Sequence, residues 1–229
     1  MNPEQRRPLR RVAIVGGAWT RRLAPYDDPS WEIWAFSSLK VRTPRITRWF
    51  EMHAPGDLRS QLRRDTRKRY SYGKYVLFLQ ELSCPVYMQE AYAWVPGSVR
   101  YPLEEAVAAF GRCFTSTASY MIALAILEGA SELGLWGIHL THRTVYARQR
   151  PGVEYLLALA RRHGVRITLP RSSPLRIPAE PKPVRTRVLY GYDWQHPGAW
   201  WRKGVTARRP VSRTTRRRPT GRRRRALAG

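Results

Sequence analysis

Acidic residues are scarce in this chain: 16 Asp and Glu stand against 42 Lys and Arg in 229 residues, a formal net charge of +26. A balance this one-sided favours contact with polyanions, though it implies no readout of a particular nucleotide sequence. Cysteine is nearly absent. Cys84 and Cys113 sit in apolar surroundings and match no metal spacing, so the sequence predicts two reduced, buried thiols in a cytosolic protein. No run of eighteen apolar residues exists, which argues against a membrane-spanning helix. The first residues, Met1 to Arg7, are polar and charged with no apolar stretch behind them, unlike a secretory signal. G-x-S-x-G, P-loop and paired Cys-x-x-Cys motifs are missing, as is any internal repeat. His139 and His142 form a His-x-x-His without a third clustered ligand, so no metal site is expected.

What is present is a globular core composition, 43% hydrophobic, and length enough for one α/β domain with an appendage. The chain is organised around Arg11-Val12-Ala13-Ile14-Val15-Gly16-Gly17-Ala18-Trp19-Thr20. A short β-branched run predicts a buried strand, and Gly16-Gly17 breaks it where a helix or turn begins. Such a turn can aim backbone N–H groups and a helix dipole at a phosphate; equally, its glycines can serve tight turning alone. Further strands are expected at Trp31–Phe36, Ile46–His53, Cys84–Met88, Glu132–Ile138 and Val165–Leu169. Helices are expected from Asp57 (as N-cap) through Leu58, Leu62 and the basic cluster Arg63-Arg64, over Gly73–Leu82 and Leu103–Phe110, over the nearly all-apolar Tyr120–Glu128, and over Gly152–His163 opened by Pro151. Alternating strands and helices predict a Rossmann-like, mostly parallel sheet covered by helices on both faces.

The predicted organisation is a flexible basic N-terminus at 1–10, a nucleotide-binding domain at 11–177, and a Pro-rich linker at 178–201 with an edge strand at Val188–Tyr192. A basic tail follows at 202–229. That tail holds twelve of the Lys and Arg residues and no acid, leaving +14 for residues 1–201. It cannot bury enough surface to offset its ordering entropy, so it is expected to be disordered. Arg216, Arg217, Arg218, Arg222, Arg223, Arg224 and Arg225 are its candidate nucleic-acid contacts, acting by counterion release.

In open parallel sheets ligands gather outside the carboxyl ends of the strands. Ser37 and Ser38 end the second predicted strand there, as ligand contacts or as a plain hydroxyl-stabilised turn. His53 ends the third and shares a strand face with Glu51, which offers either an acid–base pair or a satisfied strand-end histidine.

The run Phe114-Thr115-Ser116-Thr117-Ala118-Ser119-Tyr120-Met121 enters a buried helix ending at Gly129. Glu132-Leu133-Gly134-Leu135-Trp136-Gly137-Ile138 follows, then a loop with Tyr146, Ile167-Thr168-Leu169-Pro170 and Ser173-Pro174-Leu175. This resembles the second half of bacterial sialyltransferases that use CMP-sialic acid, and is similar to pterin diphosphokinase-like Rossmann domains. As a whole, residues 11–192 look like a group of small proteins encoded by tailed bacteriophages.

The resemblance implies a nucleotide site formed by Gly16, Gly17, Ser37, Ser38 and the turn Thr115-Ser116-Thr117. Hydroxyls and orphan N–H groups at a helix start can meet phosphate or ribose, or Ser116 and Thr117 can simply cap their own helix. Two departures stand out. His139 occupies the position of the acid that follows Gly-Ile in those families, and Gly-Gly-Ala-Trp replaces a Gly-Asn-Gly turn. His139, or His53, is then the candidate general base, with an exposed loop histidine as the plainer account of His139.

The function expected is a group transferase, glycosyltransferase-like or diphosphotransferase-like, that uses a nucleotide-activated donor near nucleic acid in a bacterial host cytoplasm. The alternative is a non-catalytic adaptor that binds nucleic acid or an acidic host protein through its basic surface and tail.

Overall fold

A computed structural model describes residues 9–36, 43–64, 71–141 and 145–199, the side chains of 61–64 and 145 excepted. Its strands are β1 (Arg11–Val15), β2 (Trp31–Phe36), β3 (Arg48–Phe50), β4 (Val86–Met88), β5 (Ser98–Arg100), β6 (Glu132–Trp136) and β7 (Arg166–Thr168). Its helices are α1 (Pro55–Arg64), α2 (Tyr72–Glu81), α3 (Leu103–Phe110), α4 (Thr117–Leu127) and α5 (Val145–Arg162). The described strands form one seven-stranded sheet in the order β5-β4-β3-β2-β1-β6-β7, every neighbouring pair parallel.

The chain walks outward from β1 to β5, then returns to the far side of β1 for β6 and β7. Parallel crossovers keep one hand, so reversing the direction of travel places the later helices on the opposite face. Side-chain alternation shows the result. Val12, Ile14, Trp34, Phe50, Leu133 and Leu135 pack beneath α3, α4 and α5 on one face. Ala35, Trp49, Val86 and Met88 meet Leu58 of α1 and Tyr75 and Leu79 of α2 on the other. Every residue from Thr117 to Ala125 of α4 is buried, as an all-round apolar helix requires.

The amino edge of the sheet is stitched by charge. Arg10 and Arg48 each bridge Glu32 and Glu128, over the ring of Trp34, and Arg11 and Arg166 share the carboxylate of Glu132. Among the described residues no helix is long and apolar enough to cross a membrane, and no cluster of three His, Cys, Asp or Glu could hold a metal.

Several local expectations are corrected. Asp57 lies inside the first turn of α1, buried, with its carboxylate taken by the Gln195 side chain, because the helix already starts at Pro55. For α2, the apolar positions Val76, Leu77, Leu79 and Leu82 predict a buried stripe, but Leu77 is exposed and Tyr75 and Leu79 are the residues the helix buries. The stretch between Gln89 and Tyr101, with Trp94, Pro96 and Gly97, predicts irregular chain, yet residues 98–100 form edge strand β5; three residues paired on one side leave no periodic signal. Pro151 does not open a helix: α5 starts at Val145 and runs through it. The ring removes an N–H from the Ala147 carbonyl, which lies on an exposed stretch where water can replace it. Residues 188–192 are a series of turns, not an edge strand. The Tyr190 N–H bonds the Phe114 carbonyl, and Gly191, at φ +83°, presses on the Met52 backbone where no side chain fits.

Candidate functional site

The reversal of strand order falls between β1 and β6, and the segments leaving their carboxyl ends interlock. Gly137 holds φ +69°, and Gly16 lies so close that a Cβ on it would stand 2.6 Å from the Gly137 carbonyl oxygen. The Gly16 N–H bonds the Trp136 carbonyl (2.8 Å) and the Ala18 N–H bonds that of Gly137 (2.9 Å). Those two amides are therefore spent within the protein, and Gly17 is the exposed residue of the pair. The turn that follows is a short 3-10 helix, Trp19–Leu23, with Arg21 and Arg22 in it and no acid.

Buried Thr20 anchors this turn. Its hydroxyl accepts the Gly137 N–H at 2.8 Å and lies 3.0 Å from Nε2 of His139. An oxygen that already accepts is best placed to donate to an unprotonated Nε2. His139 is half-buried, set edge-on to Trp19 at 6.1 Å, and Leu140 beside it holds φ 51°. A left-handed leucine is backbone strain of the kind found at ligand sites. Gly16, Gly17 and His139 are thus brought together, through a threonine that sequence reasoning did not single out.

Two strands away, just beyond the carboxyl end of β3, stands a second group. The Glu51 carboxylate accepts the His53 backbone N–H (3.0 Å) and its Nδ1–H (2.6 Å) on one oxygen, and the Tyr75 hydroxyl (2.6 Å) on the other. Trp49 Nε1–H donates to the same Tyr75 hydroxyl at 3.2 Å. With Nδ1 protonated, Nε2 is left as the acceptor, and the Tyr190 hydroxyl faces it at 3.2 Å. The Gln149 side chain hydrogen-bonds that phenol, and the Gln149 carbonyl accepts the Thr115 hydroxyl at 2.7 Å. Trp194 closes edge-on over the imidazole at 4.8 Å.

Five segments of the chain meet here, and the carboxylate and imidazole are only 6% and 12% exposed. Burial by itself would raise the Glu51 carboxyl. The His53 imidazole and the hydrogen bonds from His53 and Tyr75 outweigh that and hold it below the usual carboxylate value. Burial, then the Glu51 charge, pushes the Tyr75 phenol well up, and burial first of all pushes up Tyr190. Tyr75, Gln149, Tyr190 and Trp194 were not foreseen as site residues. The close-packed aromatics of Tyr190-Gly191-Tyr192-Asp193-Trp194 were the signal available.

The turn before α4 is buried. The Ser116 hydroxyl accepts the Ser119 N–H at 3.3 Å, and the Ser119 hydroxyl takes that of Ser116 at 3.1 Å, a reciprocal capping box. Thr115 and Thr117 are 5% and 7% exposed, and Thr115 is committed to Gln149. This turn joins His53 through Gln149 and Tyr190. Ser37, Ser38, His142 and the tail arginines Arg216 to Arg225 lie outside the described residues.

No family model and no curated protein sequence matches the chain. Among solved structures it is similar to a sialyltransferase, CstII of Campylobacter jejuni, in complex with the substrate analogue CMP-3FNeuAc. Identity is 12% and the TM-score 0.46, over 70% of this chain and 80% of that one. A complex of the sialyltransferase CST-II with a trisaccharide acceptor and CMP is similar over 79% of this chain and 89% of that chain, at 13% identity and a TM-score of 0.48. A likeness of this extent is one of α/β fold alone and carries nothing about chemistry.

Proposed function

We propose that this chain is a group transferase that takes a nucleotide-activated donor at the carboxyl edge of its sheet and uses His53, oriented by Glu51, as proton acceptor. The observation that carries the reading is the Glu51–His53 pair. A carboxylate buried this deeply is costly to keep charged, and here it fixes the tautomer and direction of an imidazole on the ligand-bearing edge of an all-parallel sheet. The donor nucleotide belongs at the β1/β6 reversal, against Gly17 and His139, with the Thr115–Thr117 turn supporting the base side through Gln149.

In the transfer step an acceptor hydroxyl loses its proton as its oxygen attacks the donor's electrophilic atom. The proton passes to Tyr190 as Tyr190 gives its own to His53 Nε2. The bond to the leaving nucleotide breaks, and that nucleotide's oxygen keeps the electron pair. Glu51 stabilises the imidazolium so formed. The fully hydrogen-bonded arrangement supports this direction of proton flow, because each group faces the one that would receive its proton.

The test is a thermal-shift series on the full chain with CMP, UDP-sugars, ATP and GTP. At least one is expected to raise the melting temperature by several degrees. His53→Gln should keep that shift while release of free nucleotide from the corresponding donor falls by about a hundredfold or more. No stabilisation by any of them would overturn the transferase reading and leave the non-catalytic adaptor.

A further inference from the structure

We propose that Trp19 is a base-stacking platform for single-stranded nucleic acid, placed on the rim of the β1/β6 reversal. The inference goes beyond the transferase reading and does not depend on it. Trp19 keeps 57% of its surface in water, although it comes only four residues after the end of the buried strand β1. It is not loose. Its neighbour Thr20 is 1% exposed and tied to Gly137 and His139, and the Ala18 N–H, Arg21 N–H and Ala24 N–H all close turn hydrogen bonds around it. The turn therefore holds the Trp19 backbone in place with its indole outward and edge-on to His139 at 6.1 Å, so little backbone freedom is lost when something stacks on it.

The choice of ligand comes from charge. Arg21 and Arg22 follow Trp19 without an acid in the turn; beyond them Asp28 is paired with Arg11 and Asp27 is exposed. The whole chain carries +26, with twelve basic residues and no acid after residue 201. An exposed aromatic set in a basic surface suits a polyanion with flat faces. A base in a single strand can leave its neighbours and stack, whereas a duplex keeps its base faces stacked inside the helix.

The test is fluorescence anisotropy of the full chain with fluorescein-labelled dT12, with an abasic 12-mer, and with a 12-base-pair duplex, each across a salt titration. Trp19→Ala is expected to weaken dT12 binding about five- to a hundredfold, with Trp19→Phe restoring most of it. The salt slope should stay unchanged, and the abasic strand should be bound equally by wild type and Trp19→Ala. Arg21→Ala with Arg22→Ala should instead flatten the salt slope by about 1.4 for single strands. The proposal is overturned if Trp19→Ala leaves dT12 binding intact, if it weakens the abasic strand equally, or if an unchanged melting temperature does not accompany the loss. Because the mononucleotide thermal shift is read separately, failure of this site and failure of the transferase reading are distinguishable.

Discussion

Glu51 shows how one residue can hold a site and a stability dependence together. Its carboxylate is buried with three hydrogen bonds to it and lies below its ordinary titration range in the folded protein. A lowered folded value means the charge adds stability that is complete above about pH 4.3 and is lost as the pH falls through the folded value. Glu51→Gln should therefore cost about 2–4 kcal/mol at pH 7 by urea denaturation, and the gap from wild type should shrink as both are measured toward pH 3. An equal gap at both ends of that range would show that shape, not charge, is what the position supplies. His53 and Glu51 were visible in the sequence as a pair two apart near a strand end, although β3 stops at Phe50 and both lie in the loop beyond it, not on a strand face. Their partners were not. Tyr75 lies 24 residues from Glu51 and Tyr190 lies 137 from His53, distances over which periodicity carries no information.

At the scale of elements, the turn before α4 separates two roles that the sequence left open. Ser116 and Ser119 satisfy each other's backbone N–H groups, which is the capping role. Ser116→Ala should cost about 1 kcal/mol of stability, and any nucleotide-induced thermal shift should survive it. Loss of that shift with folding intact would return the hydroxyl to phosphate contact. The 188–194 segment was the harder element to foresee. Its contiguous run Val188-Leu189-Tyr190 suits a strand, yet the Tyr190 N–H bonds the Phe114 carbonyl, the Tyr190 carbonyl takes the Tyr120 hydroxyl, and Gly191 fits only against Met52. The same residues that read as an edge strand instead form a cover over His53. Helix α5 likewise overran its predicted start: the Ala147 carbonyl that Pro151 leaves without a partner lies on an exposed stretch, where the lost bond costs less than in a buried helix.

At the scale of the whole molecule, charge is divided by edge. Ion pairs join the strand starts at the amino edge, where Glu128 and Glu132 gather arginines from β1, β3 and β7, while His53 and His139 stand at the opposite edge. The two thiols report on the integrity of the core between. Burial pushes the Cys113 thiol up to about 12 and raises Cys84 as well. Both should resist a disulfide reagent at pH 8, and Cys113 should label only as fast as the chain opens globally, read as the rate of thionitrobenzoate release with increasing urea. A folded value above the unfolded one also means that stability is complete below about pH 8.5 and declines as the pH rises from there toward 12. Fast labelling of Cys113 in native buffer would show that the cluster around Phe114 opens locally.

The sequence by itself determined the class of fold and the position of its strongest elements. Short β-branched runs, glycine stops and an all-apolar helix are local signals, and each acts within a few residues of itself. It also determined the surplus of positive charge, which is a sum and needs no geometry. Only the tertiary structure decided that Gly16 would spend its amide on Trp136, that Thr20 would join Gly137 to His139, and that Tyr190 would face His53. Those contacts depend on which strand lies beside which, and the return of the chain to the far side of β1 pairs Arg11 with Glu132, 121 residues on, a neighbour no stretch of residues read alone encodes.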